Sequence, residues 1–221
     1  MARWFTVFAV RGTRAATVLT ELLTPAFAGV VNCDRAKMHW SFGRLQWCWA
    51  HLKRDFQALI DHDDPQVRRL GHDLMRPTRE LFRLWVRYRD GPLTRRGWKR
   101  GMTPIRHEVD ALLLRGCFSG NDRLLGMCQE LYSHRAWLWT FLDHDGVEPT
   151  NNASERALRH AVIWRKLSFG TQSASGSRFV ETMLTVIESC RQQSRNAFTF
   201  VTAAVQAHFA HRPAPSLVAG V

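Results

Sequence analysis

The sequence lacks the features that place a chain in a membrane or outside the cell. No run approaches the roughly 18 consecutive apolar residues of a membrane-spanning helix. The apolar start MARWFTVFAV returns to arginine without a small-residue cleavage site, so it does not resemble a signal peptide. The five cysteines are scattered and odd in number, which argues against a disulfide framework and favours a reducing compartment. These absences predict a soluble, intracellular protein.

Acidic residues are also scarce, with 19 Asp and Glu against 31 Lys and Arg, a formal net charge of +12 in 221 residues. The excess lies at the two ends: residues 1–60 have 8 basic and 3 acidic residues, and residues 150–221 also have 8 and 3. Residues 61–149 are nearly balanced, with 15 basic and 13 acidic residues. A surplus of this size indicates a polyanionic partner, most often nucleic acid.

The first 60 residues have the pattern of a small α/β unit, because aromatic and β-branched runs alternate with helical spacing. The predicted elements are a strand at Trp4–Val10, a helix after Thr13 that buries Val18, Leu19, Leu22 and Leu23 and ends at Pro25, strands at Ala28–Cys33 and Leu45–Trp49, and a helix at Ala50–Ile60.

Residues 61–145 show only helical periodicity and predict a helical insertion, with breaks near Pro77, Gly91-Pro92, Gly116 and Gly120. A further helix is predicted from about Thr150, followed by a loop at 168–177, helices at 178–194 and 197–210, and a frayed tail. The predicted fold class is therefore α/β with a mostly helical insertion.

Two acids are candidates for catalysis or metal binding. Asp34 follows a short apolar strand, where α/β sheets place ligand groups, but it could equally cap the next turn. Glu155 follows the helix-capping residues Thr150, Asn151 and Asn152, and a carboxylate in the first helical turn is favourable in itself. The cations Arg156, Arg159, Arg165 and Lys166 follow Glu155, which suits a metal ligand beside a phosphate track.

Three other groups carry weaker signals. Cys48 and His51 have the spacing of half a zinc site, but a second pair is missing, so a hydrogen-bonding role is the better interpretation of His51. The polar loop Phe169–Arg178 could present backbone N–H groups to phosphate, or be a solvated turn. A third group could grip DNA, or be a solvated face whose tryptophans belong to the core: Arg83, Trp85, Arg87, Arg89, Arg95, Arg96, Trp98, Lys99 and Arg100.

Two strings of residues resemble one protein family. The string PTNNASERALRHAVIWRKLSFGTQSASGSRFVETMLTVIESCRQQSRNAF, from Pro149 to Phe198, is similar to the C-terminal catalytic region of insertion sequence 66 family transposases. FAGVVNCDRAKMHW, followed by RLQWCWAHLKRDFQALI, resembles the middle motif of the same family. The resemblance covers essentially the whole chain.

The resemblance implies a DDE transposase with a ribonuclease H-like core, in which three carboxylates hold two divalent metals, Mg²⁺ or Mn²⁺. Asp34 then matches the second Asp of the family and Glu155 the final Glu. Cys48 and His51 match a Cys-x-x-His signature that lies between those acids, and Asn151 and Asn152 would support the site. The residues expected to contact DNA are Arg156, Arg159, Arg165, Lys166 and Arg178.

The implied domains are a truncated N-terminal part of the core (1–60), the helical insertion (61–147), a C-terminal helical part of the core (148–211) and a flexible tail (212–221). The expected partners are transposon and target DNA, with self-association or pairing with a full-length transposase, in the cytoplasm of a bacterium at its nucleoid. No membrane partner is expected.

The family's first Asp has no counterpart, because residues 1–33 contain no Asp and Glu21 lies on the first predicted helix. We therefore expect a truncated chain that retains two of three metal ligands and is inactive alone. The alternative is a non-catalytic DNA-binding remnant, acting as a decoy or as a partner of a full-length transposase.

Overall fold

The computed structural model describes residues 5–13, 15–24 and 27–218. Over these residues the chain is mostly helical and contains one two-stranded parallel sheet. It divides into two compact units, one formed by Leu19–Asn151 and the other by Met1–Val18 with Asn152–Val221. Within the described ranges, no helix has the length and apolar content needed to span a membrane.

The sheet of the Leu19–Asn151 unit consists of β1 (Val31–Cys33) and β2 (Leu45–Trp47), paired in parallel with Val31 opposite Leu45. Both strands are shorter than predicted. All three residues of β2 are buried, and the buried Gln46 amide is satisfied because its Oε1 accepts a hydrogen bond from Phe141 N (2.7 Å). The expected α/β class is thus confirmed as helices around a small parallel sheet.

The helical character predicted for residues 61–145, which follow the helix α2 (Trp49–Ile60), is confirmed. The helices of this segment are α3 (Pro65–Arg89), α4 (Arg95–Cys117), α5 (Asp122–Ser133) and α6 (Ala136–Asp143). Together with β2 and α2 they bury one continuous apolar core, which includes four large tryptophan side chains: Trp47, Trp49, Trp98 and Trp139. Cys33 of β1 and Leu45 and Trp47 of β2 belong to this core.

The predicted break near Pro77 is wrong. Pro77 lies inside α3 and is buried. A proline inside a helix loses one backbone hydrogen bond and costs about 3 kcal/mol. In α3 the buried residues Val67, Leu70, Leu74 and Leu81 continue along one face on both sides of Pro77, and the burial of this apolar face outweighs the local cost.

The other unit contains α7 (Asn152–Ser168), α8 (Ala174–Gln192) and α9 (Ala197–Phe209). The loop before α8 is shorter than the predicted 168–177, because Ser173 caps the helix with its hydroxyl, which accepts a hydrogen bond from Gly176 N (3.0 Å). The apolar cluster of this unit is small and centres on Val186, Cys190 and Phe200.

The predicted strand Trp4–Val10 is not formed where the structure describes it. Trp4 lies outside the described residues, and Phe5–Val10 has no regular secondary structure. A strand needs a neighbouring strand for its backbone groups, and this segment bonds instead to side chains of α8. The bonds run from Thr6 N to Ser189 Oγ (3.1 Å), Phe8 N to Thr185 Oγ1 (3.0 Å) and Val10 N to Glu181 Oε1 (2.6 Å).

The first helix, α1 (Ala16–Leu22), forms near its predicted position but buries none of its residues. Val18, Leu19 and Leu23 are half-buried and Leu22 is exposed, so the predicted buried face is wrong. Thr13 Oγ1 accepts a hydrogen bond from Ala15 N (3.2 Å) before the helix begins. Pro25, the predicted stop, lies outside the described residues. The predicted domain boundaries at residues 60, 147 and 211 stay predictions.

Candidate metal and nucleic-acid site

The carboxyl ends of β1 and β2 meet at one edge of the small sheet. Asp34 follows β1 and Cys48 follows β2, and the strands are parallel and in register. Cys48 N donates a hydrogen bond to Cys33 O (2.9 Å), which extends the ladder by one step. Two predicted site residues therefore leave the sheet at the same edge, where open α/β sheets place ligands.

One oxygen of Asp34 is used by the following turn. Its Oδ1 accepts a hydrogen bond from Ala36 N (3.0 Å) and lies 3.4 Å from His39 Nε2. Burial lowers the pKa of His39, and the neighbouring Asp34 carboxylate opposes that shift. Among the described residues, Oδ2 of Asp34 has no partner, and the side chain is 46% exposed. Asp34 thus caps a turn and still offers one oxygen to a ligand.

Aromatic packing fixes the turn that follows Asp34. The Trp40 ring lies 4.6 Å from the ring of His134 and 5.9 Å from that of Trp137, measured between centroids. Arg35 forms ion pairs with Asp55 (2.9 Å) on α2 and Glu130 (2.9 Å) on α5. The backbone around Asp34 is therefore held to the helical core on both sides.

A polar residue in β1 holds the segment that leads into α7. Asn32 Nδ2 donates to two backbone carbonyls, Glu148 O (2.8 Å) and Thr150 O (3.0 Å). Trp49 N donates to Pro149 O (2.9 Å) from the start of α2. The residues before α7 are thus tied to the sheet. Sequence reasoning missed Asn32, although a polar side chain in a short apolar strand is a visible signal.

Cys48 and Asn151 belong to the same junction. Asn151 N donates to Cys48 Sγ (3.4 Å), so the thiol has a hydrogen-bonding role. The neighbouring Cys33 thiol is protonated, because burial first, then Asp34 and Cys48, raise its pKa to about 12. His51 lies on the first turn of α2, partly buried.

Glu155 lies in the first turn of α7, which begins at Asn152. It belongs to the unit that contains Asn152–Val221, whereas Asp34, Cys48, His51 and Asn151 belong to the Leu19–Asn151 unit. Carboxylate oxygens are suitable ligands for Mg²⁺. Among the described residues, however, no three His, Cys, Asp or Glu side chains form a group that could hold a metal ion. The assignment of Asp34 and Glu155 as metal ligands therefore stays a prediction.

The five predicted DNA contacts lie on α7 and at the start of α8 and are all exposed: Arg156, Arg159, Arg165, Lys166 and Arg178. None of them forms an ion pair with another described residue. Three of them, Arg156, Arg159 and Lys166, recur at steps of three and seven residues, which places them along one exposed side of the helix over about 15 Å. This row is a cationic surface whose charges are not paired with acidic side chains among the described residues.

The predicted cationic group of residues 83–100 differs from the row on α7, because several of its arginines form ion pairs with acidic residues. Three ion pairs join Arg83 to Glu80, Arg89 to Asp90 and Arg95 to Asp145. Trp98 is buried and stacks on Tyr88 with parallel rings 4.3 Å apart, and Trp85 packs against the same core. The interpretation in which these tryptophans belong to the core is confirmed.

The loop between α7 and α8 is a short, closed turn. Phe169 has a φ of 59° and Gly170 a φ of 84°, so two consecutive residues are left-handed. The hydroxyls of Thr171 and Ser177 are 2.7 Å apart and close the loop. Sequence reasoning identified the loop but missed the exposed ring of Phe169.

Comparison with known proteins identifies the class. Residues 2–178 match the sequence model of a transposase family, so the chain is a member of the transposases. The matching model is that of the Transposase IS66 family, and because it covers more than half of the chain, the chain belongs to that family. This confirms the family resemblance over residues 2–178, which include the string around Asp34 and the first part of the string around Glu155.

Two proteins of Sinorhizobium fredii (strain NBRC 101917 / NGR234) are similar to the chain. Uncharacterized protein y4qI is 27% identical over 158 residues, which cover 67% of this chain and 28% of that protein. Uncharacterized protein y4jO is 28% identical over 152 residues, which cover 68% of this chain and 44% of that protein. The chain therefore spans less than half of the length of either relative. No solved structure matches the chain.

Proposed function

We propose that the chain acts in DNA transposition as a DDE-type transposase, which binds DNA and contributes to metal-dependent cleavage and transfer of DNA strands. In this proposal Asp34 and Glu155 are metal ligands of a ribonuclease H-like core. The observation that carries it is the position of Asp34, directly after the partly buried parallel strand β1 with one carboxylate oxygen available, in a chain of the IS66 family.

Asp34 and Glu155 would hold Mg²⁺ or Mn²⁺, because hard divalent cations prefer oxygen ligands. Divalent ions held there would supply activation of the attacking oxygen and stabilisation of the leaving oxygen at a phosphodiester. The role of this chain's residues is to fix those ligands. The Asn32, Trp49 and Cys48 hydrogen bonds hold the backbone before α7, and Arg35 and Trp40 hold the turn after Asp34.

A DDE site needs a third carboxylate, and none is assigned in these 221 residues, since residues 1–33 contain no Asp. We therefore expect the chain alone to bind DNA without transferring strands. In this proposal a full-length transposase, as partner, would supply the third carboxylate. The purified chain should show no Mg²⁺-dependent nicking or strand transfer, and nicking that Asp34→Ala abolishes would overturn this part of the proposal.

Metal binding tests the ligand assignment without relying on activity. Titration of Mn²⁺, followed by its electron paramagnetic resonance signal, should show weaker binding for Asp34→Asn and for Glu155→Gln than for the unmodified chain. Asp90→Asn is the matched control, because Asp90 is an exposed acid paired with Arg89 in the insertion. Equal Mn²⁺ affinity in all four proteins would reject Asp34 and Glu155 as ligands.

The unpaired cations of α7 and α8 are the proposed DNA contacts. A charge reversal at Arg165 should weaken duplex binding and flatten its salt dependence, because each phosphate contact contributes about −0.9 to the log–log salt slope. Arg83→Glu is the control, since Arg83 is already paired with Glu80. Unchanged affinity of Arg165→Glu would count against this surface.

The second candidate is a non-catalytic DNA-binding protein that competes or pairs with a full-length transposase. It is favoured by the hydrogen bond from Ala36 N to Asp34 Oδ1, which uses that carboxylate as a turn cap. Salt-dependent DNA binding that Glu155→Gln leaves unchanged, together with Mn²⁺ affinity independent of Asp34, would select this candidate over the first.

A further inference from the structure

Phe169, directly after α7, has an exposed aromatic ring. Phe169 is 88% exposed, although burial stabilises a large apolar side chain. It also has a φ of 59°, a region in which a non-glycine residue is sterically strained. Neither burial nor backbone preference therefore explains a phenylalanine at this position.

The turn that carries Phe169 is closed at both ends. The hydroxyls of Thr171 and Ser177 are in contact, and Ser173 caps α8. The stem of Arg165 lies against the turn, since its Cγ would be 3.9 Å from a β-carbon placed on Gly170. The phenyl ring is thus held out from a fixed backbone.

The charged residues that lie nearest to the loop in the sequence, on either side of it, are cations. Arg165 and Lys166 precede Phe169 by one turn of α7, and Arg178 follows the loop in the first turns of α8. None of the three has an ion-pair partner among the described residues. Phe179, next to Arg178, is a second exposed ring, at 67%. The loop therefore combines aromatic faces with free cations.

We propose that this loop binds unpaired DNA, with a base stacked on the Phe169 ring and phosphates bound by Arg165 and Lys166. Aromatic faces beside a cationic track are the means by which proteins hold single strands, because every base has a face that can stack. The inference rests on the proposed DNA binding and adds that the bound DNA is locally single-stranded.

Charge complementarity selects nucleic acid over an apolar protein surface. A protein partner that covered Phe169 and the exposed Leu167 would also have to desolvate Arg165 and Lys166 without an acid of this chain to pair them. A polyanion neutralises these cations while its bases cover the ring.

The test compares single-stranded and duplex DNA in the full chain. Fluorescence anisotropy should measure the affinity for a labelled thymidine oligonucleotide and for a duplex of equal length. Phe169→Ala should weaken single-strand binding by about 5- to 150-fold, which corresponds to the 1–3 kcal/mol of one base–aromatic stack, and leave duplex binding unchanged.

Three further variants make the result specific to stacking. Phe169→Trp should retain single-strand affinity, because it keeps an aromatic face, whereas Phe169→Leu should lose it although it stays apolar. Phe198→Ala on α9 is the control, since Phe198 is equally exposed, at 80%, outside this loop. Thermal unfolding followed by circular dichroism should show that all four variants fold, because both rings are exposed.

The outcomes separate the two proposals. No binding of any DNA by the unmodified chain would overturn the proposed function and this inference with it. Single-strand affinity that Phe169→Ala leaves unchanged, or that Phe169→Leu retains, would overturn the stacking inference alone. A dimer that sedimentation detects in the unmodified chain and not in Phe169→Ala would assign the ring to a protein contact instead.

Discussion

Phe169 and Gly170 both adopt the left-handed conformation at the end of α7, but only glycine does so without steric cost. The steric strain at Phe169 remains in the folded chain, and strain of this kind is typical of residues at ligand-binding sites. Its ring gains little burial, so the strain has no compensation inside the described structure.

We expect Phe169→Gly to stabilise the chain by about 1 kcal/mol relative to Phe169→Ala, because alanine keeps the left-handed penalty and glycine removes it. Urea unfolding of the two variants measures the difference. Equal stability would mean that the backbone of residue 169 relaxes and that no strain is stored there.

The half-buried Asp110 and the buried Glu188 should affect stability in opposite directions. Burial raises the pKa of Asp110 above its usual 3.8, although Arg106, Arg135 and His107 oppose the shift. The folded chain then holds a proton that the unfolded chain has released, so stability falls as the pH rises through the window above 3.8. Asp110→Asn should therefore be more stable than the unmodified chain at neutral pH, and the gain should disappear below that window.

Glu188 provides the opposite case. It is 3% exposed, and the hydrogen bond from Arg191 (2.9 Å from Nε) lowers its pKa below the usual 4.5 against the effect of burial. The ionised Glu188 carboxylate stabilises the folded chain fully above pH 4.5, its usual pKa. This stabilisation is lost as the pH falls through the lowered pKa of the folded chain. Glu188→Gln should lose stability at neutral pH and match the unmodified chain in acid. The free energies of unfolding of Asp110→Asn and Glu188→Gln should be measured between pH 3.5 and 8. Stability changes of the same sign in the two variants at neutral pH would refute the opposite pKa shifts of Asp110 and Glu188.

At the scale of elements, close helix packing decides the role of glycine. Gly116 lies where α4 meets α5, and a β-carbon there would overlap Cys128 Sγ and lie 3.0 Å from Leu70 Cδ2. Gly126 lies within α5 with no atom within 4 Å of such a β-carbon. The same residue type is thus required in one helix and dispensable in the next.

Gly126→Ala should stabilise the chain by about 1 kcal/mol, because alanine has the higher helix propensity. Gly116→Ala has the same intrinsic gain but forces α4 and α5 apart, and we expect a net loss of about 1–3 kcal/mol. Denaturant unfolding compares the pair. Stabilisation by both substitutions would show that the α4–α5 contact is looser than the structure has it.

The elements also show which predictions a sequence permits. The helices of residues 61–145 are predictable because their apolar residues repeat at three- and four-residue steps, and a helix satisfies its own backbone. Whether Trp4–Val10 forms a strand is not predictable in this way, because a strand depends on a partner strand elsewhere in the chain. Phe5–Val10 has the composition of a strand, but its N–H groups bond to Ser189, Thr185 and Glu181 of α8.

At the scale of the whole molecule, the two units have separate apolar clusters of unequal size. The Leu19–Asn151 unit holds the extended core, whereas the other unit has a cluster around Val186, Cys190 and Phe200. Stability follows the apolar area buried, so the second unit should be the less stable one.

We expect two unfolding transitions, of which the weaker belongs to the small cluster. Val186→Ala removes about 2 kcal/mol of burial and should lower only the first transition, seen by circular dichroism. Leu113→Ala should cost about 2–5 kcal/mol and lower the transition seen by tryptophan fluorescence, because seven of the nine tryptophans lie in Leu19–Asn151. A single transition that both substitutions shift would contradict separate units.

The site was predictable in part. Asp34, Cys48 and the cations of α7 were identifiable because motif strings and charge are local properties of the sequence. The hydrogen bonds from Asn32 Nδ2 to Glu148 O and Thr150 O were not predictable, because they join residues more than 110 positions apart. The joint action of Asp34 and Glu155 stays a prediction, which the Mn²⁺ titration tests.

The sequence by itself determined the family, the excess of positive charge and the helical character of the insertion, since each is a property of residue identity and spacing. Only the tertiary structure decided that Pro77 continues a helix, that Phe5–Val10 runs along α8, and that the tryptophans of the insertion are core residues. The physical reason is common to the three: burial and hydrogen bonding depend on which distant residues meet, and those contacts outweigh local preference.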